Sequence, residues 1–102
     1  MDDEAEAPYH VGDRLCAWLG DGVYCGTLVE IEEHAESTWL EVDVDAQNGQ
    51  PLPPYRRERH PWTFKLGDDL WLERDGPSTE MRAKILRWYG DKTPEALLGY
   101  LS

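Results

Sequence analysis

Apolar and polar residues alternate along much of the first half of the chain. Across residues 14–19, Leu15, Ala17 and Leu19 fall on one face and Cys16 and Trp18 on the other, with the two-residue period of a strand. Gly20-Asp21-Gly22 follows, a turn signal because glycine admits the positive φ of tight hairpins. Residues 23–32, with β-branched Val23, Thr27, Val29 and Ile31, predict the return strand, and Gly26 in its middle predicts a bulge or sharp bend. Residues 32–37 read as a polar turn. Leu40, Val42 and Val44 then alternate with Glu41 and Asp43, predicting a third, half-buried strand over 38–44 with an acidic outer face.

The alternation stops at 45–61. Asn48-Gly49 is a turn signal, Pro51-Leu52-Pro53-Pro54 favours extended geometry, and Arg56-Arg57-Glu58-Arg59-His60 is the only basic cluster. The stretch reads as an ordered connection lying over the domain or reaching to a partner. Leu66-Gly67-Asp68-Asp69-Leu70 then echoes Val11-Gly12-Asp13-Arg14-Leu15, and Asp75-Gly76 echoes Asp21-Gly22, so two related hairpin units are expected. Residues 78–89 fit two patterns. Ser78 is a helix cap and Met81, Ile85, Trp88 and Tyr89 have helical spacing, but the repeat favours a strand, which is the expectation adopted. Thr93-Pro94-Glu95 predicts the start of a short terminal helix docking Leu97, Leu98 and Leu101.

The fold expected is mainly β: a small, strongly bent antiparallel barrel with a short C-terminal helix. Residues 1–9 form a disordered acidic tail and 10–102 a single domain, divided into 10–45 (first hairpin unit and third strand), 46–61 (Pro/Arg connection) and 62–102 (second hairpin unit and helix). A length of 102 residues suits one such domain. At 40% hydrophobic and 11% aromatic residues, the chain is too apolar to be wholly disordered.

Charge sharpens the picture. Net charge is −11, and residues 1–50 hold thirteen Asp or Glu against a single basic residue, Arg14. Such a field repels phosphates and anionic membranes and attracts basic proteins, so direct nucleic-acid binding by residues 1–50 is not expected. The acidic N-terminus does not match a secretory signal, and no apolar run approaches the roughly 20 residues of a membrane span, so a cytoplasmic or nuclear location is expected. In that setting Cys16 and Cys25 are expected as reduced thiols, although a bridge across the hairpin is geometrically open.

Residues 12–28, from Gly12-Asp13 through Ala17-x-Trp18 and Asp21-Gly22 to Tyr24-x-Gly26-Thr27, resemble the first hairpin of Tudor-like domains in the SH3-like small-barrel superfold. The resemblance extends over residues 11–45. It implies a bent barrel and a cage of aromatic rings that holds methylated lysine or arginine through cation–π attraction. Trp18 and Tyr24 match cage positions, while the family's third-strand aromatic is missing at Val42-Asp43-Val44-Asp45; Trp39 is the nearest ring.

Catalytic motifs are absent from the sequence. His10, His34 and His60 are widely spaced, and no cofactor, metal or enzymatic role is expected. Pro51-x-x-Pro54-x-Arg56 matches a minimal SH3-ligand pattern but suits a structural proline loop better. Two functional readings follow. One is a Tudor-like interaction module that binds a basic or methylated peptide through Trp18, Tyr24 and Trp39. The other is an acidic, nucleic-acid-mimicking inhibitor of phage anti-defence type that blocks the basic groove of a nucleic-acid-binding machine. The first draws counter-charge from Asp21, Asp43 and Asp45; the second presents Glu30, Glu32, Glu33, Glu36, Glu41, Asp43 and Asp45 as a row of carboxylates, and together these eight acids form the expected partner face.

Overall fold

A computed structural model of the chain describes residues 9–56, 61–67 and 69–101. Most of the expected acidic tail, part of the basic cluster (Arg57, Glu58, Arg59, His60) and Asp68 lie outside the described residues. Tyr9, assigned to the tail, is half-buried and packs against the core.

Six strands form one antiparallel sheet: β1 (Arg14–Trp18), β2 (Val23–Glu33), β3 (Thr38–Gln47), β4 (Gln50–Pro51), β5 (Trp62–Lys65) and β6 (Leu70–Leu72). β1, β2 and β3 make a meander, β6 adds to the free side of β1, and β4 and β5 both pair with β3. The sheet is open, with no ladder joining β6 to β4 or β5 among the described residues, so the expected closure into a barrel is not seen. Residues 62–72 complete the same sheet instead of starting a second one.

The β2–β3 ladder is irregular at two places, with Asp45 the extra residue on β3 at the first and Val29 the extra residue on β2 at the second. Register shifts by one residue between Cys25 and Gly26 and again between Leu28 and Glu30. A Cβ on Gly26 would lie 2.2 Å from the Asp43 carbonyl oxygen, so only glycine lets β3 approach this closely. Asn48 and Gly49, both at positive φ (53° and 81°), then fold β4 back onto β3 as the Asn-Gly signal requires.

The sheet has two separately packed sides. The concave side holds Leu15, Ala17, Tyr24, Leu28, Leu40, Val42, Val44, Leu52 and Phe64. Leu52 comes from the proline stretch, which therefore lies over the domain. On the other side Cys16, Val23, Cys25 and Trp71 pack against Ile85, Leu97 and Leu101 from two helices, α1 (Thr79–Tyr89) and α2 (Glu95–Leu101). β1 is buried on both faces, which explains its nearly unbroken apolar run; each fully buried aliphatic side chain contributes about 1.5–3 kcal/mol.

Three expectations need correction here. Residues 79–89 form a helix, not a strand, so the described residues hold no second hairpin unit. The Ser78 hydroxyl accepts a bond from the Met81 N–H at 3.0 Å, and Met81, Ile85 and Tyr89 line one side of consecutive turns toward the sheet. The repeat is real only in its opening turn: Gly12 and Gly67 share a positive φ before β1 and β6. The second correction concerns the cysteines. Cys16 and Cys25 are direct register partners, and their sulfurs are bonded under the helices. Third, α2 buries Leu97 and Leu101 but leaves Leu98 exposed, because the third leucine lies off the docked face.

Candidate functional site

Beyond its second register shift, β2 keeps only Ile31 against the core and turns its other side chains outward. Val29, Glu30, Glu32 and Glu33 are exposed, and β2 and β3 continue as an acidic ribbon. Leu40, Val42 and Val44 point into the core, so the two-residue period turns Trp39, Glu41 and Asp43 outward. Cross-strand pairing sets Glu30 opposite Glu41, Glu32 opposite Trp39, and Thr27 opposite Asp43. Carboxylate oxygens of Glu30, Glu32 and Glu41 all lie within 4.8 Å of one another.

Such crowding has an electrostatic consequence. The Glu41 carboxyl is held above the ordinary glutamate range, chiefly by a hydrogen bond shared with Glu32, then by desolvation and by repulsion from Glu30 and Glu32. Glu32 also faces His34, 3.7 Å away. Glu33 and Glu36 are exposed at the ribbon's tip, and Asp43 is exposed toward its root. Of the eight acids expected to form one face, the ribbon thus gathers six.

Asp45 and Asp21 are placed differently. Asp45 accepts two hydrogen bonds from the Arg14 guanidinium, at 2.8 and 3.0 Å. Arg14 also donates to Glu73 at 3.1 Å and to Thr27 Oγ1 at 3.1 Å. Asp45 and then Glu73 raise the Arg14 pKa further above its already high value, and the pairing commits Asp45 to the fold. Asp21 sits in the β1–β2 turn, at the opposite end of β2 from Glu32, where it accepts from the Tyr24 hydroxyl at 3.0 Å.

The three aromatic candidates are not gathered into one cage. Tyr24 is buried on the concave side, with its ring centroid 5.1 Å from that of Trp62. Its hydroxyl is held by Asp21 and by Gln47 Nε2, and burial raises its pKa before Asp21 adds to the shift. Trp18, one register step away, packs on the helix-covered side, edge-on to Trp88 at 5.8 Å. Trp39 belongs to the ribbon, where its indole N–H donates to Ser37 Oγ at 3.0 Å.

Comparison of the chain with family models, with curated proteins and with solved structures returned no match.

Sequence reasoning missed Glu73, which reaches Arg14 from the turn after β6, and Trp88, which α1 sets beside Trp18. The helical spacing of Lys84 and Trp88 was the available signal for the second. His10 pairs with Asp13 and His34 with Glu32; neither belongs to a group of three metal-ligating side chains among the described residues. Cys16, Cys25 and Glu73 form one such group, but both sulfurs are consumed by their mutual bond. No helix among the described residues is long and apolar enough to cross a membrane.

Proposed function

We propose that this protein is a non-enzymatic interaction module whose β2–β3 ribbon binds a basic segment of another protein. The observation that carries the reading is the crowding of Glu30, Glu32 and Glu41 on an exposed sheet face. Like charges at this distance repel, and a lysine or arginine placed among them would relieve the repulsion while gaining charge-assisted hydrogen bonds. Asp43, Glu33 and Glu36 extend the field along the ribbon, and the net charge of −11 steers a cation toward it. Trp39 gives the acidic face an aromatic neighbour for the stem or head of such a residue.

The Tudor-like reading is supported by the β1–β2 hairpin and by the register shift at Gly26 in the β2–β3 ladder. Its methyl-reading cage draws no support from the separation of Trp18, Tyr24 and Trp39. The same row of carboxylates fits the alternative, a nucleic-acid mimic, because Glu41 and Asp43 alternate along one outward strand face.

A titration separates these readings. An unmethylated lysine- and arginine-rich peptide and its trimethyllysine counterpart would be titrated into wild type and a Glu30→Gln/Glu32→Gln/Glu41→Gln variant at low and high salt. Binding of both peptides that weakens with salt and drops at least tenfold in the variant is expected. Equal binding by the variant, or no binding at all, would defeat the proposal. A strong preference for the methylated peptide would restore the cage. Displacement of duplex DNA from a basic protein, without binding of either short peptide, would favour mimicry.

A further inference from the structure

The second aromatic constellation lies elsewhere and does not depend on the acidic ribbon. Trp18 from β1 and Trp88 from α1 meet edge to face, with rings 80° apart and centroids at 5.8 Å. Lys84 and Arg87, on the same stretch of α1, complete a cleft of about 490 Å³ lined by these four side chains. Trp88 is 67% exposed, an unusual cost for an indole with no role outside the fold. Lys84 Nζ sits 5.6 Å from the Trp18 ring centroid and 3.2 Å from an Asp69 carboxylate oxygen, so its charge is partly answered. Arg87 is exposed and makes no ion pair or hydrogen bond among the described residues. In a chain of net charge −11, this cleft sets two cations beside two indoles.

We infer that this cleft is a binding site for a small aromatic anion, a planar ring carrying a carboxylate. The volume lies within the usual range for small-ligand sites, about 300–1,000 Å³. The ring would occupy the angle between Trp18 and Trp88, where stacking and edge contacts are both on offer. The carboxylate would pair with Arg87, whose planar fork suits two parallel hydrogen bonds. Lys84 is the lesser partner, because Asp69 already holds it and repels an incoming anion. A cationic ring is disfavoured by both basic groups.

The test uses 1-naphthoate as the probe, with neutral 1-naphthamide and cationic 1-naphthylmethylammonium as controls, followed by calorimetry on the whole chain. Saturable one-to-one binding of naphthoate is expected, with a Kd of about 0.05–1 mM for a ligand of this size. The amide should bind at least tenfold more weakly and the ammonium not at all. Arg87→Gln should cost at least tenfold and keep the wild-type Tm, while Lys84→Gln should cost less. Trp88→Ala should abolish binding. Absence of naphthoate binding, equal affinity for the amide, or wild-type affinity in Arg87→Gln would overturn the assignment. If Trp88→Ala fails to fold, Arg87→Gln alone decides.

Discussion

The two halves of β2 lead different lives. Val23 to Gly26 is buried, clamped between the concave core and the helices and tied to β1 through Cys25. From Val29 onward the same strand is largely exposed and carries a load of glutamates that repel one another. One half makes the fold stable enough for the other half to hold an arrangement that costs stability. The dividing line is the double register shift around Gly26 and Leu28, where the ladder changes phase and Glu30 is brought opposite Glu41.

The comparison breaks most severely at that line. Gly26→Ala places a methyl group 2.2 Å from backbone oxygen of Asp43, which no side-chain rearrangement can relieve. Overpacking costs typically 1–3 kcal/mol, and a backbone clash belongs at or above the top of that range, about 3 kcal/mol. Urea unfolding should show the loss, and the β2–β3 amides should lose hydrogen-exchange protection before those of α1.

The buried half is probed next through its disulfide. Alkylation under denaturing, non-reducing conditions followed by mass measurement should find no labelled thiols. A Cys16→Ala/Cys25→Ala variant should lose about 2–3 kcal/mol, the chain-entropy value for so short a loop. Recovery of two labelled thiols from unreduced protein would restore the sequence-based expectation. Arg14 comes third, at the root of the ribbon. Arg14→Met would leave Asp45 and Glu73 facing each other without their shared cation. All three side chains are partly exposed, so solvent screening limits the expected loss to about 1–2 kcal/mol. A smaller loss at high salt than at low salt would identify the ion pairs, not packing of the arginine stem, as the cause.

How much of this was legible follows from the range of the interactions involved. The first three strands, their turns and the Gly26 bulge are written in local alternation and turn chemistry, and the structure places them within a few residues of the pattern. The sequence also showed that Glu41 and Asp43 face outward. It could not show that Glu30 stands opposite Glu41, because that depends on a register shift rather than on alternation. Residues 79–89 depart from the expected strand because the Ser78 cap and the four-residue spacing of Met81, Ile85 and Tyr89 prevail over the apparent repeat. Asp45 was assigned to the surface because its partner Arg14 lies 31 residues away and nothing local joins them. The disulfide differs from expectation for another reason: a cytoplasmic or nuclear setting favours reduced thiols, whereas strand register sets Cys16 directly opposite Cys25.

The smallest expected effect is the most specific. An acid whose folded-state pKa is raised binds protons more tightly when folded than when unfolded. Glu41 therefore opposes folding when both states are ionised, and its penalty fades as pH falls through the raised folded value and then the unfolded value near about 4. Glu41→Gln should thus raise Tm modestly at pH 7, and the gain should shrink toward zero as pH drops below the glutamate range. At pH 7 the same substitution should weaken binding of a lysine- and arginine-rich peptide, since the carboxylate that destabilises the free protein is the one a cation would satisfy. A variant more stable and less able to bind is what an interaction surface predicts. A Glu41→Gln protein with unchanged Tm across this pH range and unchanged affinity would mean that the ribbon's carboxylates are solvated independently, and the contrast between the two halves of β2 would then be one of burial alone.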